Sequence, residues 1–305
     1  MVSPPRQSSA PPRVLLSRDA PRHALGTAIA AGSLERLRRG AYGEVPRDEP
    51  ADGGRTRRAL GRIYAVHAQT TARHWFSHTS AALLWGCWVH LGDETTHLTR
   101  RHAPCGEHDR TVKRHTTELP TRDRTELDGL PLTTLERTVV DVACSSRGHH
   151  ALMVADSALR LGADRGRIDQ LIAGRAGRRG IARARLVVAA ADPLAESPGE
   201  SILRWFLLDP ALPVFTPQVG VRTRGGDFRV DLGVPRLRVA IEFDGAIKYT
   251  GEYGLPSHVE ADEVRRQALL EREGWIVERF GWADLADRDG VVTRVQRALF
   301  RAASR

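Results

Sequence analysis

The chain has 305 residues, enough for two or three domains, with 41% hydrophobic and 27% charged residues, ordinary for a globular protein. No apolar run approaches the roughly 20 residues that span a bilayer. The opening MVSPPRQSSAPPR lacks the apolar centre of a secretory leader, and residues 1–12 read as a disordered tail. Cys87, Cys105 and Cys144 form no C-x-x-C pair, which argues against a disulfide framework or a cysteine-based zinc site and fits a reducing cytoplasm.

The net charge of +9 is unevenly spread. Residues 1–190 carry 30 Arg and Lys against 19 acids, whereas residues 191–305 carry 16 against 18. A basic front half suggests a polyanionic partner, with nucleic acid the usual one. A coding bias toward arginine accounts for the same excess, since 44 of the 46 basic residues are Arg. The two lysines are Lys113 and Lys248.

From Arg13 to Pro46 the text reads helix, helix and then a hairpin turning at Arg39-Gly40, the pattern of a winged helix-turn-helix over 13–50. Arg36, Arg38 and Arg39 lie on the wing, where they suit phosphate contacts or a solvated turn equally. LERLRRGAYGEVP resembles the end of the winged-helix domain of AbiEi-type antitoxins, which implies a DNA-binding front and a cognate toxin encoded nearby.

A mixed α/β middle region follows over 55–190. FSHTSAALLWG reads as a helix opening near Ser77 or His78. LDGLPLTTLERTVVDVAC reads as a strand and a Thr-capped helix with Leu135, Val139, Val142 and Ala143 inward, and ALMVADSALRLG as a further amphipathic helix. These stretches resemble the segment that follows the winged helix in the same antitoxin-like proteins. His74, His78, His90 and His97 fit no standard ligand spacing, so they read as scattered surface or capping residues. RAGRRGIARAR, 175–185, reads as a basic connector or helix, and AAADPLAESPG as a boundary.

Residues 196–305 read in the order α-β-β-β-α-β-α. SPGE, from Ser197, is a capping box. In FRVDLGV and VAIEFDG the apolar residues alternate with Asp231 on one strand and with Glu242 and Asp244 on the next. A hairpin around Pro235-Arg236 would set Asp231 opposite about residue 240, with Glu242 its diagonal neighbour, roughly 7–8 Å away. Converging carboxylates repel, and a divalent cation would remove that cost. Exposed strand charges are the plainer alternative.

SPGES, VDLGVPRLRVAIEFDGAIKY and ALLEREGWIVERFGWADL resemble a domain of unknown function related to the very-short-patch-repair (Vsr) endonucleases, within the PD-(D/E)XK nuclease superfamily. That resemblance implies Asp231 and Glu242, with Asp244 as an extra ligand, holding Mg2+. It implies Glu200 tuning the site from the helix, Lys248 supplying the cation, and Arg266 on the following helix facing DNA. Asp244 stands where the superfamily has its lysine, and Gln267 where relatives often have an acid. Two functions follow: a DNA-binding protein with a Mg2+-dependent endonuclease or nickase domain, or an AbiEi-like type IV antitoxin and transcriptional regulator whose nuclease fold is inactive.

Overall fold

The computed structural model describes residues 12–47, 53–92, 95–102, 109–245 and 256–305. The chain divides into two compact units, one formed by residues 1–146 with 161–185, the other by 147–160 with 186–305.

The first unit opens with β1 (Val14–Leu16), α1 (Arg22–Ala30), β2 (Leu34–Arg38), β3 (Ala41–Glu44) and α2 (Gly53–Gln69). The expected pair of helices before the hairpin is therefore a strand and one helix. Val14, Leu15 and Leu16 form an apolar run too short for a helix, and they find backbone partners on Gly43, Tyr42 and Ala41. The resulting sheet has the order β1-β3-β2, and α2 packs on it. Leu16, Leu37, Ala41 and Ala65 make its core.

The second sheet of this unit collects β4 (Trp75–Phe76), β5 (Thr96–Arg100), β6 (Val112–Thr116), β7 (Arg124–Leu127) and β8 (Leu130–Thr133) in the order β6-β5-β4-β8-β7. Helix α3 (His78–Leu84) leads from β4 toward β5, and α4 (Leu135–Ser145) and α6 (Arg165–Ala173) pack on one another. Phe76, Leu98, Val112, Leu130 and Leu132 form the core with Ile63 and Val66 from α2. Leu135, Val139, Val142 and Ala143 are buried as their spacing predicts, and Thr134 caps α4 by accepting from Arg137 N–H at 3.4 Å. At the basic segment 175–185, Arg183 donates to the carbonyls of Ala143 and Cys144 at the end of α4, so one of its arginines closes a helix terminus.

The second unit contains α5 (Gly148–Arg160), the second half of α7 (Ile181–Ala190), then α8 (Pro198–Phe206), β9 (Thr216–Thr223), β10 (Gly226–Val234), β11 (Val239–Phe243), α9 (Pro256–Arg272), β12 (Ile276–Phe280) and α10 (Arg288–Ala303). From α8 onward the order is the expected α-β-β-β-α-β-α. The sheet runs β12-β11-β10-β9, with the β11–β12 pair parallel and the other two antiparallel. Helix α5, read from sequence as part of the middle region, groups with this unit because its buried Asp156 ties it to α8: Asp156 accepts from Ser201 Oγ at 2.7 Å and from Arg204 at 2.7 Å.

Candidate functional site

The acidic strand positions of the second unit lie beside a set of arginines. β11 is an interior strand, and Val239 to Phe243 are all buried. The alternation was expected to leave one wet, acidic face; both faces are covered instead, and Glu242 is only 5% exposed. A buried carboxylate needs compensation, and two cations supply it. Glu242 Oε1 accepts from Arg266 of α9 at 2.5 Å, and Oε2 lies 3.2 Å from Arg279 Nε on β12. The parallel register sets Arg279 directly beside Glu242, and Arg279 also reaches Glu263 at 3.5 Å. Arg266, expected to face DNA, turns inward to Glu242 and to the carbonyl of Arg229 at 2.7 Å.

The β10–β11 register pairs Leu232 with Ile241, so Asp231 falls at the position next to Glu242 rather than opposite residue 240. The connection is longer than the expected two-residue turn: Val234 pairs with Val239, and residues 235–238 lie between them. Asp231 Oδ2 accepts from the Phe243 amide at 2.8 Å. Asp244 is half-buried, and its Oδ1 has no hydrogen-bond partner among the described residues. Glu200 is buried in α8. Its Oε2 accepts from the Glu196 amide at 2.9 Å and from Gln218 Nε2 at 3.0 Å, while its own amide donates to the Ser197 hydroxyl at 3.2 Å. The capping box is thus closed one residue earlier than expected, at Glu196 rather than at the cap itself. Burial raises the Glu200 carboxyl above its ordinary range, against those hydrogen bonds. Lys248 lies outside the described residues.

These geometries bear on magnesium. The ion wants carboxylate and water oxygens in a near-octahedral set at about 2.0–2.1 Å. Both oxygens of Glu242 are engaged by guanidinium groups, and one oxygen of Asp231 is engaged by the backbone. Magnesium would have to displace an arginine from Glu242. As built, this group of carboxylates does not fit the ion. Among the described residues, no three acidic side chains gather their oxygens within 4.8 Å.

On the β2–β3 hairpin, Arg36 and Arg39 are exposed. Arg38 is not available for a phosphate: its guanidinium pairs with Asp109 and its side chain is 14% exposed. A bulge between Arg36 and Arg38 accompanies the inward turn.

The histidines are arranged otherwise than their spacing suggests. His78, His97 and His115 bring one nitrogen each within 4.8 Å of one another. His115 was absent from the sequence-based set, because its contact with His97, 18 positions away, depends on the parallel pairing of β5 with β6. The available signal was a histidine at an alternate position of each strand, THLT and VKRHT. His74 meets His67 instead, at 3.2 Å. Burial, and then Lys113, pull His115 down to about 4; burial and the two neighbouring imidazoles hold His78 well below the usual histidine range. His78 and His115 are therefore neutral at pH 7.

Residues 78–189 match the AbiEi antitoxin C-terminal domain. The match begins within FSHTSAALLWG and runs through LDGLPLTTLERTVVDVAC and ALMVADSALRLG, the stretches that carry the sequence resemblance. The uncharacterized proteins MT2308 and Rv2248 of two Mycobacterium tuberculosis strains (CDC 1551 / Oshkosh and ATCC 25618 / H37Rv) are each 34% identical over 168 residues, 54% of this chain. The chain spans 60% of the length of those relatives. The crystal structure of RV2827C protein from Mycobacterium tuberculosis is similar at a TM-score of 0.36 and 16% identity, over 59% of this chain and 77% of that one. No described helix is long and apolar enough to cross a membrane.

Proposed function

We propose that the chain is a DNA-binding regulator of antitoxin type, with a toxin encoded nearby as its partner and a C-terminal unit that binds rather than cuts. The match of residues 78–189 to the AbiEi antitoxin C-terminal domain carries this reading. The pairing of Glu242 with Arg266 and Arg279 supports it, because a carboxylate already neutralised by two guanidiniums is a packing device. The net +11 of residues 1–190 and the exposed Arg36 and Arg39 supply the attraction to phosphates.

The test uses the purified chain and the duplex upstream of its own gene. The regulator reading expects a retarded complex whose affinity falls steeply with salt, no cleavage with Mg2+ or Mn2+, and relief of toxicity when the chain is co-expressed with the neighbouring gene product. Failure to bind that duplex and failure to relieve toxicity together overturn it.

A second reading, a Mg2+-dependent endonuclease or nickase, draws on Asp244, whose buried Oδ1 lacks a partner among the described residues beside Asp231 and Glu242. In that reading Arg266 and Arg279 release Glu242, Asp231, Glu242 and Asp244 then hold the ion, and Glu200 and Lys248 support it. Metal-dependent nicking that is lost on Glu242→Gln would establish it, with DNA binding by the front of the chain retained.

A further inference from the structure

The three histidines of the first unit belong to no part of the readings above. We infer that His78, His97 and His115 form a site for one divalent transition-metal ion, zinc in the first place, with an open fourth position. The site depends on neither the regulator nor the nuclease reading.

Three elements build it. His97 and His115 sit on the parallel strands β5 and β6, where His115 stands opposite Thr99, two residues from His97 and so on the same face. Their ring nitrogens, His97 Nδ1 and His115 Nε2, are 3.1 Å apart. Two nitrogens bound to one tetrahedral zinc at about 2.0–2.1 Å lie about 3.3 Å apart, so the separation of this hydrogen-bonded pair already suits one ion, which would take the place of the proton between them. His78 comes from the first residue of α3. Its ring is stacked face to face on that of His115, with centroids 3.7 Å apart and planes inclined by 14°, so a turn of the His78 side chain brings its nitrogen onto the ion the other two hold.

The surroundings orient the ligands. His78 Nδ1 lies 3.0 Å from the Ser77 hydroxyl, so that nitrogen is occupied and Nε2 is the one free to ligate. A second partner of this kind is what fixes the tautomer of a metal-bound histidine. His97 is held from behind, its amide donating to Ser80 Oγ at 2.8 Å and its carbonyl accepting from the Ser77 amide at 3.2 Å. His78 also has a φ of 53°, in the left-handed region that costs a non-glycine residue about 1 kcal/mol or more. Such a conformation is kept where the position of the side chain is needed.

The donor set selects the ion. Three imidazoles and no carboxylate suit zinc, copper, nickel or cobalt, and not magnesium or calcium. Of the two cations nearby, Arg137 is neutralised by Asp123 at 3.2 Å and Asp141 at 2.9 Å, and Lys113 is exposed and screened by solvent. Three protein ligands leave one position for water or for a group from a partner.

The test uses the full chain without a histidine tag, stripped by a chelator and titrated with Co2+ as a spectroscopic probe, then with Zn2+ in competition. One equivalent of Co2+ should bind at micromolar affinity or tighter, with the intense visible absorption of tetrahedral cobalt, and Zn2+ should displace it. His115→Gln should weaken binding at least tenfold, and so should His97→Gln. His74→Gln, in the other histidine pair, should leave it unchanged. His97 is buried in a strand, so that variant is judged only if its circular dichroism is native; the half-buried His115 keeps the test decisive. Absence of stoichiometric binding, an octahedral spectrum, or unchanged affinity in a folded His115→Gln protein would each overturn the site.

Discussion

Asp156 shows how a single buried carboxylate organises the second unit. Its side chain is fully buried, and it accepts from the Asp192 amide at 2.8 Å as well as from Ser201 and Arg204. Burial raises its pKa to about 6 in spite of these partners. The unfolded value is about 3.9, so between about pH 4 and pH 6 the folded state keeps a proton that the unfolded chain has released. This group therefore makes stability fall as pH rises through that window and level off above it. Asp156→Asn should flatten that slope in urea unfolding measured from pH 4 to pH 7. It should also cost about 3–5 kcal/mol at pH 7, because Arg204 is left buried without its partner. A slope identical to that of the parent chain would refute the assignment. Ser197→Ala, which removes only a cap, should cost about 1 kcal/mol. Ser197, Pro198 and Glu200 were legible as a helix start because capping is a local property of four residues. That Glu200 would be buried against Gln218 was not, since β9 approaches it only through the fold.

The hairpin β2–β3 gives its arginines different roles. Arg36 and Arg39 project outward, while Arg38 is tied to Asp109, 71 positions away in the chain. Reversing Arg36 and Arg39 together to Glu should lower duplex affinity and reduce the log–log salt slope by about two. Arg38→Ala should lower the melting temperature instead and leave the slope unchanged. Fluorescence anisotropy at several salt concentrations separates the two outcomes, and equal slopes in all three proteins would remove the wing from the interface. Helix α7 is placed by Gly180, whose φ of 83° is in the left-handed region and whose added Cβ would run into the Cys144 carbonyl. Gly180→Ala should cost roughly 2 kcal/mol or more, measured by thermal unfolding.

The division of the chain into units sets where it can be cut. A fragment of residues 196–305 contains every strand of the C-terminal sheet, but it lacks α5 and with it the Asp156 partner of Ser201 and Arg204. Such a fragment should be degraded by protease faster than residues 147–305, and equal protease resistance would show that α5 contributes nothing to the unit. Helix periodicity, turn residues and the alternation of the strands were enough to read α4, α8 and the α-β-β-β-α-β-α order, because these depend on neighbours a few positions away. The charge balance of the two halves is likewise a property of the chain alone. What the fold decided were the pairings across distance. Val14–Leu16 became a strand because β3 offered it an edge. Glu242, read as a wet metal ligand, became a buried partner of Arg266 and Arg279 because β11 lies between β10 and β12 and beside α9. His97 met His115 because two parallel strands put side chains 18 residues apart on one face. Periodicity tells which side of an element a residue occupies; which element covers that side is set by the packing of the whole.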